Sequence, residues 1–283
     1  MRTGEEPTPF YIPVSDRQAE DSGNGSIMRL GPISARFHKD LAKARRVAAE
    51  SSKTTHPGAL AAECCAYLSH VCVSAMNRTA DLDVLVAKTW KPAPPPDLAS
   101  NFLDQVAMEY LPILEARLQG LENDASACVG VSGGVTFSSD SKTREAAAIR
   151  ALMRLLRSQE PDASTERCWN WRSKSLCIGG TLRNRGHSYN GYPVSSEYFG
   201  SFCMDGLAMA LWSVYHTSSF GDAIERCVNL LGDADSTASV AGQIAGAFYG
   251  YRAIDPCLVR SVEQWDEGDI ALRGALLYHL GVL

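Results

Sequence analysis

The sequence predicts an all-α protein: one compact multi-helix domain over residues 22–283, after an extended or disordered lead-in over residues 1–21. Three observations carry that expectation. Segments with apolar residues at helical spacing, opened by capping residues, recur along most of the chain. Strand signals are poor, since no stretch alternates cleanly over six residues, and VGVSGGVTF at residues 129–137 reads as a short strand or a loop. The composition, 45% hydrophobic and 21% charged, is that of a globular protein and excludes full disorder, collagen and coiled coil.

The elements follow in order. DLAKARRVAAESSK, residues 40–53, opens on an Asp40 N-cap and consists of good helix formers. THPGALAAECCAYLSHVCVSAM, residues 55–76, restarts a helix with Pro57 suited to its first turn. A third helix spans about Leu98–Leu121, kinked near Pro112. A linker over residues 122–140 leads to KTREAAAIRALMRLLRS, residues 142–158, and a turn-rich stretch from Ser158 to about Ser196 reads as long loops. Helices at about Met204–His216, Phe220–Leu231, Ser236–Gly250 and Asp269–Leu280 complete the chain.

Charge and cysteine usage narrow the class. With 27 basic and 32 acidic residues the net charge is −5, so nucleic acid is not the expected partner. Nine cysteines, an odd number without a CxxC pair, read as small buried hydrophobes in a reducing compartment rather than a disulfide framework or a zinc site. The start, MRTGEEPTPFYIPVSD, is polar and Pro-interrupted, unlike a signal peptide, and no apolar run is expected to approach the ~20 residues that span a bilayer. The expectation is a soluble, intracellular, cytoplasmic protein without a membrane partner, more readily a monomer than an oligomer.

Four segments could carry chemistry. In CVNLLGDADSTASVAGQIAGAFYG, residues 227–250, two helices flank a turn carrying Asp233, Asp235 and Ser236. Gly242, Gly246 and Gly250 then fall four apart on one face, a stripe that would let a neighbouring backbone approach. Three oxygen side chains at a helix start suit a hard cation such as Mg²⁺, with carboxylates overcoming the positive helix end. The alternative is that Asp235 or Ser236 only caps the helix. A haloacid-dehalogenase phosphatase loop is excluded because no buried strand precedes DADST, and an EF-hand because Ala238 and Ile244 occupy its glycine and acidic positions.

Second, Gly23-Asn24-Gly25 forms a turn whose backbone N–H groups could line an anion or a ribose, with Arg29 near enough to neutralise a phosphate; a plain Asn-Gly turn is the alternative. Third, His56 precedes a helix that Pro57 can open, so its ring could bond a ligand there or act only as a surface or capping group. Fourth, residues 181–202 mix Arg183, Arg185, His187 and tyrosines that could clamp a nucleotide-like ligand by charge and stacking, or form a solvated loop.

Together these segments resemble the ADP-ribosylglycohydrolase family. GDADSTASVAGQIAGAFYG is similar to the family's Gly-Asp-x-Asp-(Ser/Thr) turn and small-residue helix, GNGSIMRLGPI to its Gly-Asn-Gly-x-x-Met-Arg loop, and Thr55-His56 to its Thr-His helix start. The resemblance implies an all-α fold with a dinuclear Mg²⁺ or Mn²⁺ centre in a cleft for ADP-ribose, removed from a protein side chain or a small conjugate. It assigns Asp233, Asp235 and Ser236 to the metal, with Asp233 and Asp235 also catalytic. It places Ser22, Gly23, Asn24, Gly25, His56 and Gly200 along the ligand. The family's second metal motif, Thr-Asp-Asp-Thr near its N-terminus, does not occur, and Asp81, Asp83 and Asp140 lack that pattern. The N-terminal part of the family domain is therefore expected to be missing. A catalytically impaired ADP-ribose-binding or interaction protein stands as the alternative to a hydrolase.

Overall fold

The structure, a computed structural model, describes residues 22–78, 97–128, 137–158, 169–176, 178, 188–189, 192–193 and 199–282. The lead-in at residues 1–21, Asp81, Asp83, the side chain of Asp140, residues 129–136, and Arg183, Arg185 and His187 lie outside what is described.

Helices account for nearly all the described chain, as expected. The first are short: α1 Gly25–Met28 and α2 Gly31–Arg36. Helix α3, Leu41–Lys53, is capped as its sequence predicts, Lys43 N donating to Asp40 Oδ1 at 2.9 Å. Its buried residues are Ala44, Ala48 and Ser52, small groups four apart that seat it closely on α4, Ala59–Asn77. Helix α4 starts later than expected. Gly58 is its N-cap and Pro57 precedes the cap, because Gly58 has an extended ψ of 132°.

Helix α4 is the hub: α1, α2, α3 and the later core helices pack around it, and fifteen of its nineteen residues are buried. It corrects one expectation. At 19 residues and mean hydropathy 1.4 it is long and apolar enough to cross a membrane, although 83% of that stretch is buried inside the protein. Burial by helices on all sides explains its apolar composition.

Helix α5, Leu98–Cys128, and α6, Phe137–Arg157, are both longer than the sequence predicts. The expected linker is helical at both ends, and α5 runs on through Pro112. Arg117 ties α5 to its neighbours, bonding both oxygens of buried Glu63 at 2.7 Å on α4 and Glu145 at 2.7 Å on α6. Strands β1, Ser188–Tyr189, and β2, Tyr192–Pro193, pair antiparallel with Tyr189 opposite Tyr192. This ribbon was not expected, although Asn190-Gly191 between its strands is a hairpin signal.

Helices α7, Cys203–Tyr215, α8, Phe220–Val228, and α9, Ala234–Tyr249, close the core, with Ile27, Leu68, Leu103, Ile149, Leu207 and Ile244 in one buried cluster. The glycine stripe on α9 does not admit a backbone. A Cβ on Gly242 would meet Ile224 Cδ1 at 3.7 Å and one on Gly246 Phe220 Cε2 at 3.9 Å, both side chains of α8. The face of α9 turned to the core is Val240, Ala241, Ile244, Ala245 and Phe248. Two further helices follow, α10 Pro256–Asp266 and α11 Asp269–Leu280. The first of these was missed despite its signals, an Asp255 side chain accepting from Cys257 N at 2.7 Å and Pro256 at the first position. Helix α11 packs on α2, and its Tyr278 stacks at 3.9 Å on His38, just beyond the end of α2.

Of the six cysteines described, Cys64, Cys65, Cys72, Cys203 and Cys227 are buried free thiols, as expected, and Cys257 is exposed; the side chain of Cys128, and Cys168 and Cys177, lie outside the described residues. Burial alone pushes the Cys72 thiol up to about 12, which leaves it chemically inert.

Candidate functional site

Three segments distant in sequence meet in front of α7 and α9. Residues 22–24 run antiparallel to residues 201–203: Gly23 bridges Phe202, Asn24 N donates to Ser201 O at 2.8 Å, and Cys203 N donates to Ser22 O at 3.0 Å. On the other side Asp233 N donates to Phe199 O at 2.8 Å. The segment 199–202 is thus held between the Gly-Asn-Gly loop and the Asp233 turn.

Glycine makes these approaches feasible. At Gly232, φ is +68°, and a Cβ there would stand 2.2 Å from Phe199 O. At Gly200, φ is +111°, and a Cβ would meet Thr237 Cγ2 at 3.0 Å. Both are conformations and contacts that an L side chain resists.

The side chains then lock the junction. Asn24 stands at the N-cap of α1 yet makes no capping bond. Its Nδ2 donates instead to Gly200 O at 3.1 Å and to Asp233 Oδ2 at 2.7 Å. Ser201 Oγ donates to the same Asp233 oxygen at 2.8 Å. Asp233 occupies the N-cap of α9 but likewise makes no side-chain capping bond, because its carboxylate is turned toward Asn24 and Ser201. The capping alternative for Asp235 and Ser236 also falls away, since both lie inside the first turn of the helix. Asp235 is exposed there and Ser236 is buried.

His56 completes the cluster. Its ring lies over the glycine loop, where a Cβ on Gly23 would come within 3.2 Å of Cδ2 and one on Gly25 within 2.7 Å of Cε1. Arg29 reaches back from the end of α1 to Thr55 Oγ1 at 2.8 Å, and Thr55 Oγ1 pairs with His56 Nδ1 at 2.9 Å.

The structure therefore gathers Ser22, Gly23, Asn24, Gly25, His56, Gly200 and Asp233 around one junction, with Asp235 and Ser236 on the adjoining turn. Ser201 was missed, and nothing local in YFGSF marks its hydroxyl, whose partner lies 32 residues away. For a divalent cation, Asp233, Asp235 and Ser236 offer two carboxylates and a hydroxyl. No group of three His, Cys, Asp or Glu suited to a metal occurs among the described residues. That donor set fits one weakly held ion with water in its remaining positions. It does not fit the fixed pair of ions that the resemblance implied, because each ion requires about six oxygens.

Comparison with known proteins bears on this arrangement. The family model described as ADP-ribosylglycohydrolase matches residues 3–280. A relative from Serratia proteamaculans (strain 568), ADP-ribosylarginine hydrolase Tri1, is 48% identical over 64 residues, 22% of this chain and 18% of the relative. The protein of the same name from Pseudomonas putida (strain GB-1) is 46% identical over 61 residues, 22% of this chain and 16% of the relative. The matched segments thus span less than a fifth of either relative's length.

Proposed function

From a chain that belongs to the ADP-ribosylglycohydrolase family, we propose a hydrolase that removes ADP-ribose from a modified arginine side chain, at the junction of the Gly-Asn-Gly loop with the Asp233 turn. The arginine acceptor is supported by the names of the two similar proteins. The observation that carries the reading is the pair of bonds from Asn24 and Ser201 to Asp233, which bring the ligand loop and the acidic turn together.

In this reading the loop binds and the turn reacts. Gly23 and Gly25 carry no side chain, and the His56 ring fills the space a Cβ would take, so a diphosphate or ribose would meet the loop's backbone with that ring beside it. The two bonds donated by Asn24 Nδ2 are spent within the protein, on Gly200 O and Asp233. Asn24 therefore sets the direction of the Asp233 carboxylate, and any contact it makes with ligand falls to its Oδ1. The carboxylates of Asp233 and Asp235 offset the positive charge that develops on the ribose as the bond from its anomeric carbon to the guanidino nitrogen breaks. One of them accepts a proton from the attacking water, and the departing guanidine takes up a proton. A Mg²⁺ or Mn²⁺ ion held at Asp233, Asp235 and Ser236 would supply a Lewis-acidic grip on the ribose hydroxyls.

Release of free ADP-ribose from an arginine-ADP-ribosylated protein tests the proposal. The full chain in Mg²⁺ should release it, and the Asp233→Asn variant should not. Retained ADP-ribose binding with no release by the unaltered chain would replace the hydrolase with the impaired, ligand-binding alternative.

A further inference from the structure

We propose that Gln243 is a positioning residue: from the middle of α9 it donates to the last carbonyls of α1 and so sets where the Gly-Asn-Gly loop stands against the acidic turn. This role rests on the reading of that loop as the binding half of the site.

Helix α1 is four residues long, too short to hold its own shape. Its start is closed by Asn24 O, which accepts from Ile27 N at 3.0 Å and Met28 N at 3.1 Å. The last carbonyls of a helix have no partners within it. Here α9 supplies them. Gln243 Nε2 donates to Met28 O at 2.9 Å and to Ile27 O at 3.0 Å, and Ser239 Oγ donates to Met28 O at 3.0 Å. The third neighbour of Nε2, Ser239 O at 3.3 Å, is also a carbonyl, so only the nitrogen end of the amide suits this place. The buried amide oxygen accepts no bond among the described residues. It lies over Gly31, where a Cβ would stand 3.6 Å from it.

The helix that carries Gln243 begins at the Asp233 turn. The loop is therefore tied to α9 twice: Asn24 holds Asp233 at 2.7 Å, and Ile27 and Met28 are held by Gln243. Unbroken helix separates the two ties, with a rise that puts Gln243 ~15 Å from Asp233 along the axis. Helix α1 lies along that length as a strut, and Gln243 fixes the end that Asn24 does not. Without those bonds α1 would pivot about Asn24, carrying Gly23–Gly25 out of register with Asp233 and Asp235.

Amide hydrogen exchange of the ligand-free full chain, with calorimetric titration of ADP-ribose, tests this in two variants. Gln243→Met keeps the bulk and removes the donors. Exchange at Ile27 and Met28 should quicken about tenfold while the amides of α4 and α5 stay as they were, and ADP-ribose should bind about tenfold more weakly. Gln243→Lys restores a donor to the same carbonyls, and a cation suits a helix C-terminus, so both readouts should return to within about threefold of the unaltered chain. Unchanged affinity in Gln243→Met would overturn the proposal, as would equally faster exchange throughout the core, or a Gln243→Lys variant as weak as Gln243→Met. Failure of the unaltered chain to bind ADP-ribose would overturn the functional reading instead, and exchange at Ile27 and Met28 would still report the tie independently of it.

Discussion

Asn24 Nδ2 stands 2.7 Å from Asp233 Oδ2, a hydrogen bond that joins residues 209 apart in sequence. It is charge-assisted and short, and it ties the loop directly to the acidic turn.

Replacing that donor should separate the two halves of the site. In Asn24→Asp a carboxylate would face the Asp233 carboxylate where an amide now donates. We expect a stability loss of about 2 kcal/mol in urea unfolding at pH 7, together with loss of ADP-ribose binding. Unchanged stability would show that the bond contributes nothing in solution.

Two glycines should respond in opposite ways to the same added methyl. In Gly25→Ala the new Cβ meets the His56 ring at 2.7 Å, and a side chain can move aside. The fold should change by less than about 1 kcal/mol while ADP-ribose affinity falls about tenfold. In Gly232→Ala the Cβ meets the backbone oxygen of Phe199 at 2.2 Å, at a φ of +68°. That substitution should cost about 2 kcal/mol or more. Urea unfolding of both variants checks the contrast.

Buried His70 should give the protein an acid-side stability loss. Burial, and secondarily the Arg45 charge, holds its imidazole down to about 4 from an ordinary 6.5. The unfolded chain then binds more protons than the folded one between those values. Stability should be full above about pH 6.5, fall by about 3 kcal/mol as pH drops toward 4, and level off below that. Neither ring nitrogen has a hydrogen-bond partner among the described residues, so His70→Phe should keep its stability at pH 7 and lose this share of the pH slope. An unaltered slope in that variant would assign the loss to other groups.

Asp235 tests the ion. It is exposed in the first turn of α9, where its charge favours the helix by about 0.5 kcal/mol. Asp235→Asn should leave the fold nearly intact and remove the dependence of ADP-ribose affinity on Mg²⁺. If calorimetry of the unaltered chain gives equal affinity in Mg²⁺ and in a chelator, the ion has no role in binding.

What the sequence made legible follows the range of each interaction. The Asp40 cap, the helices over residues 203–215 and 220–228, and the start of α9 near the acidic turn are local features, written in residues within a few positions of each other. The ends of α5 and α6 were misjudged because long helices gain stability from each other, here through Arg117, Glu63 and Glu145, and not only from their own propensities. Asn24, His56 and Asp233, which the motifs single out, meet at one junction, yet the use of Asn24 as a tie to Asp233 was not legible. Ser201 and the close packing of Gly232 on Phe199 depend wholly on tertiary placement, for which a single sequence offers no local sign.

Amide shift mapping of the full chain during titration with ADP-ribose addresses the shared site most directly. Perturbations should concentrate at residues 22–25, His56, 200–201 and 233–237. Perturbations confined instead to the open cleft of about 630 Å³ lined by Trp212, His216 and Arg226, or none at saturating ligand, would contradict the assignment.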